Sequence, residues 1–169
     1  MDTNKVVVTF AGAVGSSKTP IACHLSYRFN LPVFNTDAIR SEVTEDMLVF
    51  NEDEFKVRRD NRMRGLIGGG KSFIFDASID REWKNYREAA LGEGYKVFII
   101  SMDLSKDFLI KLYRAKGYEE SLKRVDQLYS DHEKFLNDFN EDVSLHITDE
   151  DFKDRLTLSE NKLRNFLGL

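Results

Sequence analysis

Apolar residues recur along this chain with two different periods, and the alternation between the two lays out the architecture. Val6, Val7, Val8, Thr9 and Phe10 form a β-branched and aromatic run that predicts a buried strand. Ile21, Leu25 and Phe29 then recur at i, i+4 and i+8, with Ala22 alongside, as the core face of a helix that Asn30 ends. Val33 and Phe34 predict a second short strand stopping at Asn35, Thr36 and Asp37. Residues 38–66 read as one charged helix closed by Gly68, Gly69 and Gly70. Residues 72–75 (SFIF) are a third strand ending at Asp76, followed by a helix through Trp83, Tyr86 and Ala90 that stops at Gly92 and Gly94.

Residues 97–100 (VFII) form an uninterrupted fourth strand, apolar on both faces. A helix with Phe108, Leu109, Leu112 and Tyr113 inward breaks at residues 115–118. Leu122, Val125, Leu128, His132, Phe135 and Phe139 then trace a long amphipathic helix. Residues 143–147 are read as a fifth strand, and Leu163, Phe166 and Leu167 dock a final helix. Short apolar strands alternating with helices imply right-handed βαβ crossovers and a sheet covered on both faces. Ligands in such sheets sit beyond the carboxyl ends of the strands, where the loop after residue 10, Asp37, Asp76 and Asp103 all fall. Only two prolines and no low-complexity run interrupt the chain, so residues 1–169 are expected to form one domain.

Composition narrows the function classes. With 25 Lys and Arg against 29 Asp and Glu, the chain lacks the bulk positive charge of a protein that coats nucleic acid. The single cysteine, Cys23, excludes an internal disulfide or a cysteine-based zinc cluster, and it is expected to be a small buried residue of the first helix. His24, His132 and His146 show no i+4 pair or acidic partner in sequence, so a histidine metal site or triad is not expected. The absence of a long apolar run and of a signal-peptide pattern predicts a cytoplasmic protein with no membrane segment. No protein partner can be predicted from these residues.

Two glycine-bearing stretches compete as phosphate sites. Residues 65–72 (GLIGGGKS) fit the formal pattern G-x-x-x-x-G-K-[ST], but follow a helix and precede a strand, so no helix N-terminus is there to face an anion. Residues 12–19 (GAVGSSKT) depart from it, with Ser17 where glycine usually precedes the lysine, yet they lie between a strand and a helix. That context predicts a phosphate cradle of Gly12, Ala13, Val14, Gly15, Ser16, Ser17, Lys18 and Thr19, with Lys18 on the phosphate oxygens and Thr19 on Mg²⁺. Serine costs little before the lysine if its φ is negative. A helix start that binds nothing is the bland alternative. Pro20 is tolerated because first-turn N–H groups have no intrahelical partner.

Three passages resemble the small P-loop kinases of the polynucleotide-kinase and zeta-toxin type, grouped with the AAA-like ATPases: GAVGSSKT, then Asp37-Ala-Ile-Arg40 as D-x-x-R, then Asp76-Ala-Ser78 as D-A-[ST], with Arg87 and Gly94 at familiar spacing. The resemblance spans roughly residues 5–117. It implies a three-layer α/β P-loop NTPase fold with a five-stranded, mainly parallel sheet and a small helical lid at about residues 111–120. It further implies an ATP- and Mg²⁺-dependent kinase, phosphorylating a hydroxyl of a small molecule or of a nucleic-acid end. In that frame Asp37 is the general base, or else only a helix cap. Asp76 holds Mg²⁺ with Thr19, or caps the next helix. Arg40 binds the acceptor, or lies on the surface. Arg58 and Arg59 line an acceptor groove, or a solvated helix face. Arg114, beside Lys111 and the hinge Gly117, is the lid cation on the transferred phosphoryl group, although relatives show more arginines here. The rival class is a nucleotide-binding module with little catalysis.

Overall fold

The computed structural model describes residues 5–169. Five parallel strands lie in the order β2-β3-β1-β4-β5: β1 Val6–Ala11, β2 Val33–Asn35, β3 Phe73–Ser78, β4 Lys96–Met102 and β5 Leu145–Ile147. β1 is central, and every one of its residues is buried, including Thr9, whose hydroxyl donates to Phe75 O at 3.3 Å. Its pleat sends Val6, Val8 and Phe10 to one face and Val7 and Ala11 to the other, so each belongs to a different core.

The first core is closed by α1 (Lys18–Phe29), α5 (Lys106–Lys116) and α8 (Arg155–Leu167), through Ile21, Leu25, Leu109, Tyr113 and Leu163. The second is closed by α2 (Thr36–Met47), α3 (Glu52–Gly68) and α4 (Trp83–Gly92), through Ile39, Val43, Phe55, Met63 and Trp83. The short α6 (Glu119–Lys123) leads into the long α7 (Val125–Phe139), which gives Val125 and Leu128 to the first core and Phe135 to the second. No helix among the described residues is long and apolar enough to cross a membrane.

Several boundaries differ from the sequence reading for identifiable reasons. The single helix expected over residues 38–66 is two. Leu48, 87% exposed, adopts a left-handed φ of 61°, and Asn51 restarts the helix by accepting the Glu54 N–H. The long helix through residues 122–139 divides at Arg124, whose φ of −107° ends α6 and begins α7. β3 runs on through Asp76 to Ser78, and β5 is shorter than expected. Cys23 is exposed, not buried, because it falls beside rather than on the Ile21, Ala22 and Leu25 stripe. All three histidines have acidic partners, contrary to expectation. His24 meets Glu160 at 2.9 Å across α1 and α8, while His132 and His146 meet strand-end aspartates.

Candidate nucleotide and acceptor site

The loop of residues 12–19 joins β1 to α1, and its two glycines are demanded by their surroundings. Gly12 has φ +122°, and a Cβ there would lie 2.8 Å from Met102 Cβ. Gly15 has φ +76°, and its Cβ would lie 2.9 Å from the Tyr113 ring. Both arrangements exclude a side chain and bring the backbone close to its neighbours. Ser17 also sits left-handed, at φ 71° and ψ 38°, so serine does not have the negative φ that would make it cheap. A non-glycine residue there costs roughly 1–2 kcal/mol.

The loop is held by α5, which packs beside α1 on the same face of the sheet. Lys116 Nζ donates to Gly15 O at 2.7 Å and to Ser17 Oγ at 3.0 Å, and Tyr113 Oη donates to Val14 O at 2.6 Å. Lys18 is buried and donates to Gly12 O at 2.8 Å, Ala13 O at 2.6 Å and Ser16 Oγ at 3.2 Å. Burial pulls its pKa down to about 8, against the opposing fields of Asp80 and Asp76. No side chain caps the start of α1, so its first-turn N–H groups are left for a ligand.

Asp76 and Asn35 lie opposite each other in the β2–β3 register. Asp76 is buried, and its carboxylate accepts from Thr19 Oγ1 at 3.3 Å and Asn35 Nδ2 at 2.9 Å. Desolvation raises its pKa, with the Thr19 hydrogen bond opposing. The α2 cap is Asn35, whose Oδ1 accepts the Asp37 N–H at 2.8 Å and the Ala38 N–H at 3.4 Å. Asp37 is therefore not the cap, and its exposed carboxylate borders the open cleft.

That cleft, about 980 Å³, runs from Gly15, Lys18 and Thr19 past Asp37 and Asp76 to Arg40 and Arg59. The Arg40 guanidinium lies 4.0 Å from the Phe50 ring centre and 5.1 Å from that of Phe55. Arg59 pairs with Asp60 at 3.0 Å and Glu82 at 3.2 Å. Arg58 turns elsewhere, to Asp46 and Glu54, and does not line the cleft. Arg114 is exposed on the last turn of α5 and also lies outside the lining. The cation that α5 brings to the loop is Lys116, which sequence reasoning missed, as it missed Asp80, whose Oδ1 accepts the Gly12 N–H at 2.8 Å. The basic last turn of α5 was the available signal for Lys116; Asp80 carried none.

The residues fit a Mg²⁺–nucleoside triphosphate. A glycine cradle that side chains would fill, free helix N–H groups, a buried lysine and a pair made by Thr19 of the first turn of α1 with Asp76 of β3 are the donor and acceptor set such a ligand takes.

No protein-family model matches this chain, and no curated protein matches it. Solved structures do. A gluconokinase from Sinorhizobium meliloti superposes with TM-score 0.68 at 12% identity, over 96% of this chain and 93% of its own. Shikimate kinase from Acinetobacter baumannii, in complex with shikimate, gives 0.64 at 14% identity over 99% and 95%. A structure from the PezAT chromosomal toxin–antitoxin system of Streptococcus pneumoniae gives 0.60 at 12% over 98% and 88%. At these identities the likeness is one of fold: the chain has the three-layer α/β fold of the P-loop NTPases, with a five-stranded parallel sheet, in the form shared by gluconokinase and shikimate kinase.

Proposed function

We propose that this chain is an ATP-dependent phosphotransferase whose acceptor is a hydroxyl of a small molecule. The carrying observation is the continuity of one cleft from Lys18 past the uncapped carboxylate of Asp37 to Arg40 and Arg59. Residues 12–19 hold the phosphates, and Thr19 with Asp76 holds Mg²⁺, which supplies charge neutralisation. Asp37 takes the proton of the acceptor hydroxyl while its oxygen bonds to the γ-phosphorus and the bond to the ADP oxygen breaks. Lys18 and Lys116 stabilise the charge on the transferred group, Arg40 binds an anionic part of the acceptor, and Arg59, paired with Asp60 and Glu82, shapes the acceptor end of the cleft. In this reading residues 1–169 are one catalytic domain, residues 111–120 its lid, and the compartment that of ATP, the cytoplasm.

Small acceptors are favoured over a nucleic-acid end because the basic residues are spoken for. Arg58 and Arg59 are paired with carboxylates, and Glu82, Glu119 and Glu120 line the same cleft. A nucleic-acid backbone takes a run of unpaired cations. The likeness to the polynucleotide-kinase and zeta-toxin group through Asp37, Arg40 and Asp76 therefore extends to the catalytic frame rather than to the acceptor. A second reading, a nucleotide-binding module with weak catalysis, is favoured by the left-handed Ser17 and by Arg114 lying outside the cleft.

The test is ATP turnover with Mg²⁺ against a panel of hydroxy acids, sugar acids and 5′-hydroxyl oligonucleotides. Turnover with a small hydroxyl acceptor is expected. Asp37→Asn should lower kcat by about 10²–10⁴ while leaving ATP affinity near its starting value. An unchanged kcat removes Asp37 as base, and ATP binding without any phosphorylated acceptor leaves the binding module.

A further inference from the structure

Beneath the loop lies a chain of buried polar groups for which the reaction above assigns no part. Asp80 Oδ1, which accepts the Gly12 N–H at 2.8 Å, is also 3.3 Å from His132 Nδ1. His132 Nε2 is 3.0 Å from Asp103 Oδ1. Asp103 accepts in turn from Ser101 Oγ and from His146 Nδ1, both at 2.5 Å. The side chains of His132 and Asp80 are each 6% exposed. One α7 histidine thus ties the carboxylates that follow β3 and β4, and His146 of β5 extends the line to the surface.

An imidazole with a carboxylate on each nitrogen has a donor for both only when both nitrogens carry protons. The neutral ring would turn a lone pair toward one carboxylate in a buried place, so His132 is held as the imidazolium. Burial works against that charge, but the bonds to Asp103 and Asp80 overcome it and raise its pKa to about 9. Asp103, despite its own burial, is kept below its usual range by His132, Ser101 and His146.

We propose that Asp80 and His132 act as one positioning unit for the phosphate loop: the imidazolium fixes the Asp80 carboxylate, and that carboxylate fixes the Ala11–Gly12 peptide through its N–H. The consequence reaches the chemistry across the Gly12 Cα, because the next peptide's carbonyl, Gly12 O, is an acceptor of Lys18 Nζ. Met102 crowds the Gly12 Cα, so the turn between the two peptides is held between a charge and a wall. This inference rests on residues 12–19 binding a nucleotide. Neither residue touches the ligand; both act through Gly12.

The experiment uses the full chain and two readouts. The first is amide hydrogen exchange at Gly12 relative to Ile100 in β4, which needs no ligand. The second is the Kd for Mg–ADP, measured well below the unfolding temperature. His132→Gln should speed Gly12 exchange about tenfold relative to Ile100 and weaken Mg–ADP by a similar factor. Asp80→Asn keeps an acceptor for the Gly12 N–H and should move both readouts the same way by less. The double variant should be no worse than His132→Gln alone, because the pair works as a unit. A purely structural role would lower Tm and leave both ratios unchanged, and that result overturns the proposal. If the wild-type chain does not bind Mg–ADP, the nucleotide reading fails, and the Gly12 exchange ratio alone decides the positioning role. If His132→Gln does not fold, Asp80→Asn decides it by the same two ratios.

Discussion

Residues 12–19 and residues 65–72 make an instructive pair, because the poorer formal match has the geometry of a phosphate cradle and the better one does not. In the first stretch each glycine answers a specific crowding, by Met102 at Gly12 and by Tyr113 and Tyr118 at Gly15. In the second, Gly65 and Gly68 lie within α3 with nothing within 4 Å of where a Cβ would be. Gly69 and Gly70 only turn the chain out of the helix: the Gly69 N–H donates to Gly65 O, and Gly70 adopts φ +64° before β3. Lys18 is buried against loop carbonyls, whereas Lys71 is exposed. Glycine spacing is thus compatible with two unrelated physical demands, and the neighbours across the sheet decide between them.

The largest expected break in this comparison is at the two lysines. Lys18→Ala should weaken Mg–ATP on the order of a hundredfold, the scale of two lost charge-assisted contacts, while Lys71→Ala should leave the Kd within twofold. Equilibrium binding to both variants checks this, and equal losses would make the loops indistinguishable. Next come the glycines. Gly12→Ala meets Met102 and a forbidden φ together, so a loss of about 2–4 kcal/mol by denaturant unfolding is expected. Gly65→Ala, in an open helical position, should stabilise by roughly 0.5–1 kcal/mol.

How much of this could be read beforehand follows from the range of each signal. The alternation of strands and helices was legible because periodicity is local, as in the VVV run of β1 and the Ile21, Leu25 and Phe29 stripe. The loop of residues 12–19 was legible through its strand-to-helix context. The break at Leu48 was not, because a leucine in a left-handed conformation carries no turn signature. Lys116 was passed over because its partner Ser17 is 99 residues away, a relation no spacing rule encodes. His132 reads as one apolar-face position of a helix, yet its partners are aspartates 52 and 29 residues earlier, brought together only by sheet order.

A smaller effect sharpens the lysine comparison through pH. Lys18 is depressed to about 8 from 10.5, so the cost of its buried charge is fully present below pH 8 and disappears as pH rises toward 10.5. Phosphate, however, selects the charged form. Mg–ATP affinity should therefore fall above pH 8, by up to about tenfold per unit, and Lys71→Ala should retain that slope. Lys18→Arg, charged throughout, should flatten it. His132 runs the opposite way in stability: its contribution is complete below pH 6.5 and is lost as pH rises through about 9. Thermal unfolding of His132→Gln against wild type over pH 6–10 separates the two, because only the His132 contribution vanishes in that variant.

The smallest effect concerns the one letter by which residues 12–19 depart from the formal pattern. Ser17→Gly removes a left-handed serine, a gain of roughly 1 kcal/mol, and also deletes the hydroxyl that Lys116 reaches at 3.0 Å. That exposed contact is worth about 0.5 kcal/mol, and Lys116 keeps its shorter bond to Gly15 O, so the conformational gain should win. A net rise in stability of about 0.5 kcal/mol is expected, and a Ser17→Gly/Lys116→Ala pair should show little coupling. If Ser17→Gly instead destabilises, the Lys116–Ser17 contact outweighs the strain, and the serine is then held in place as the docking point for α5.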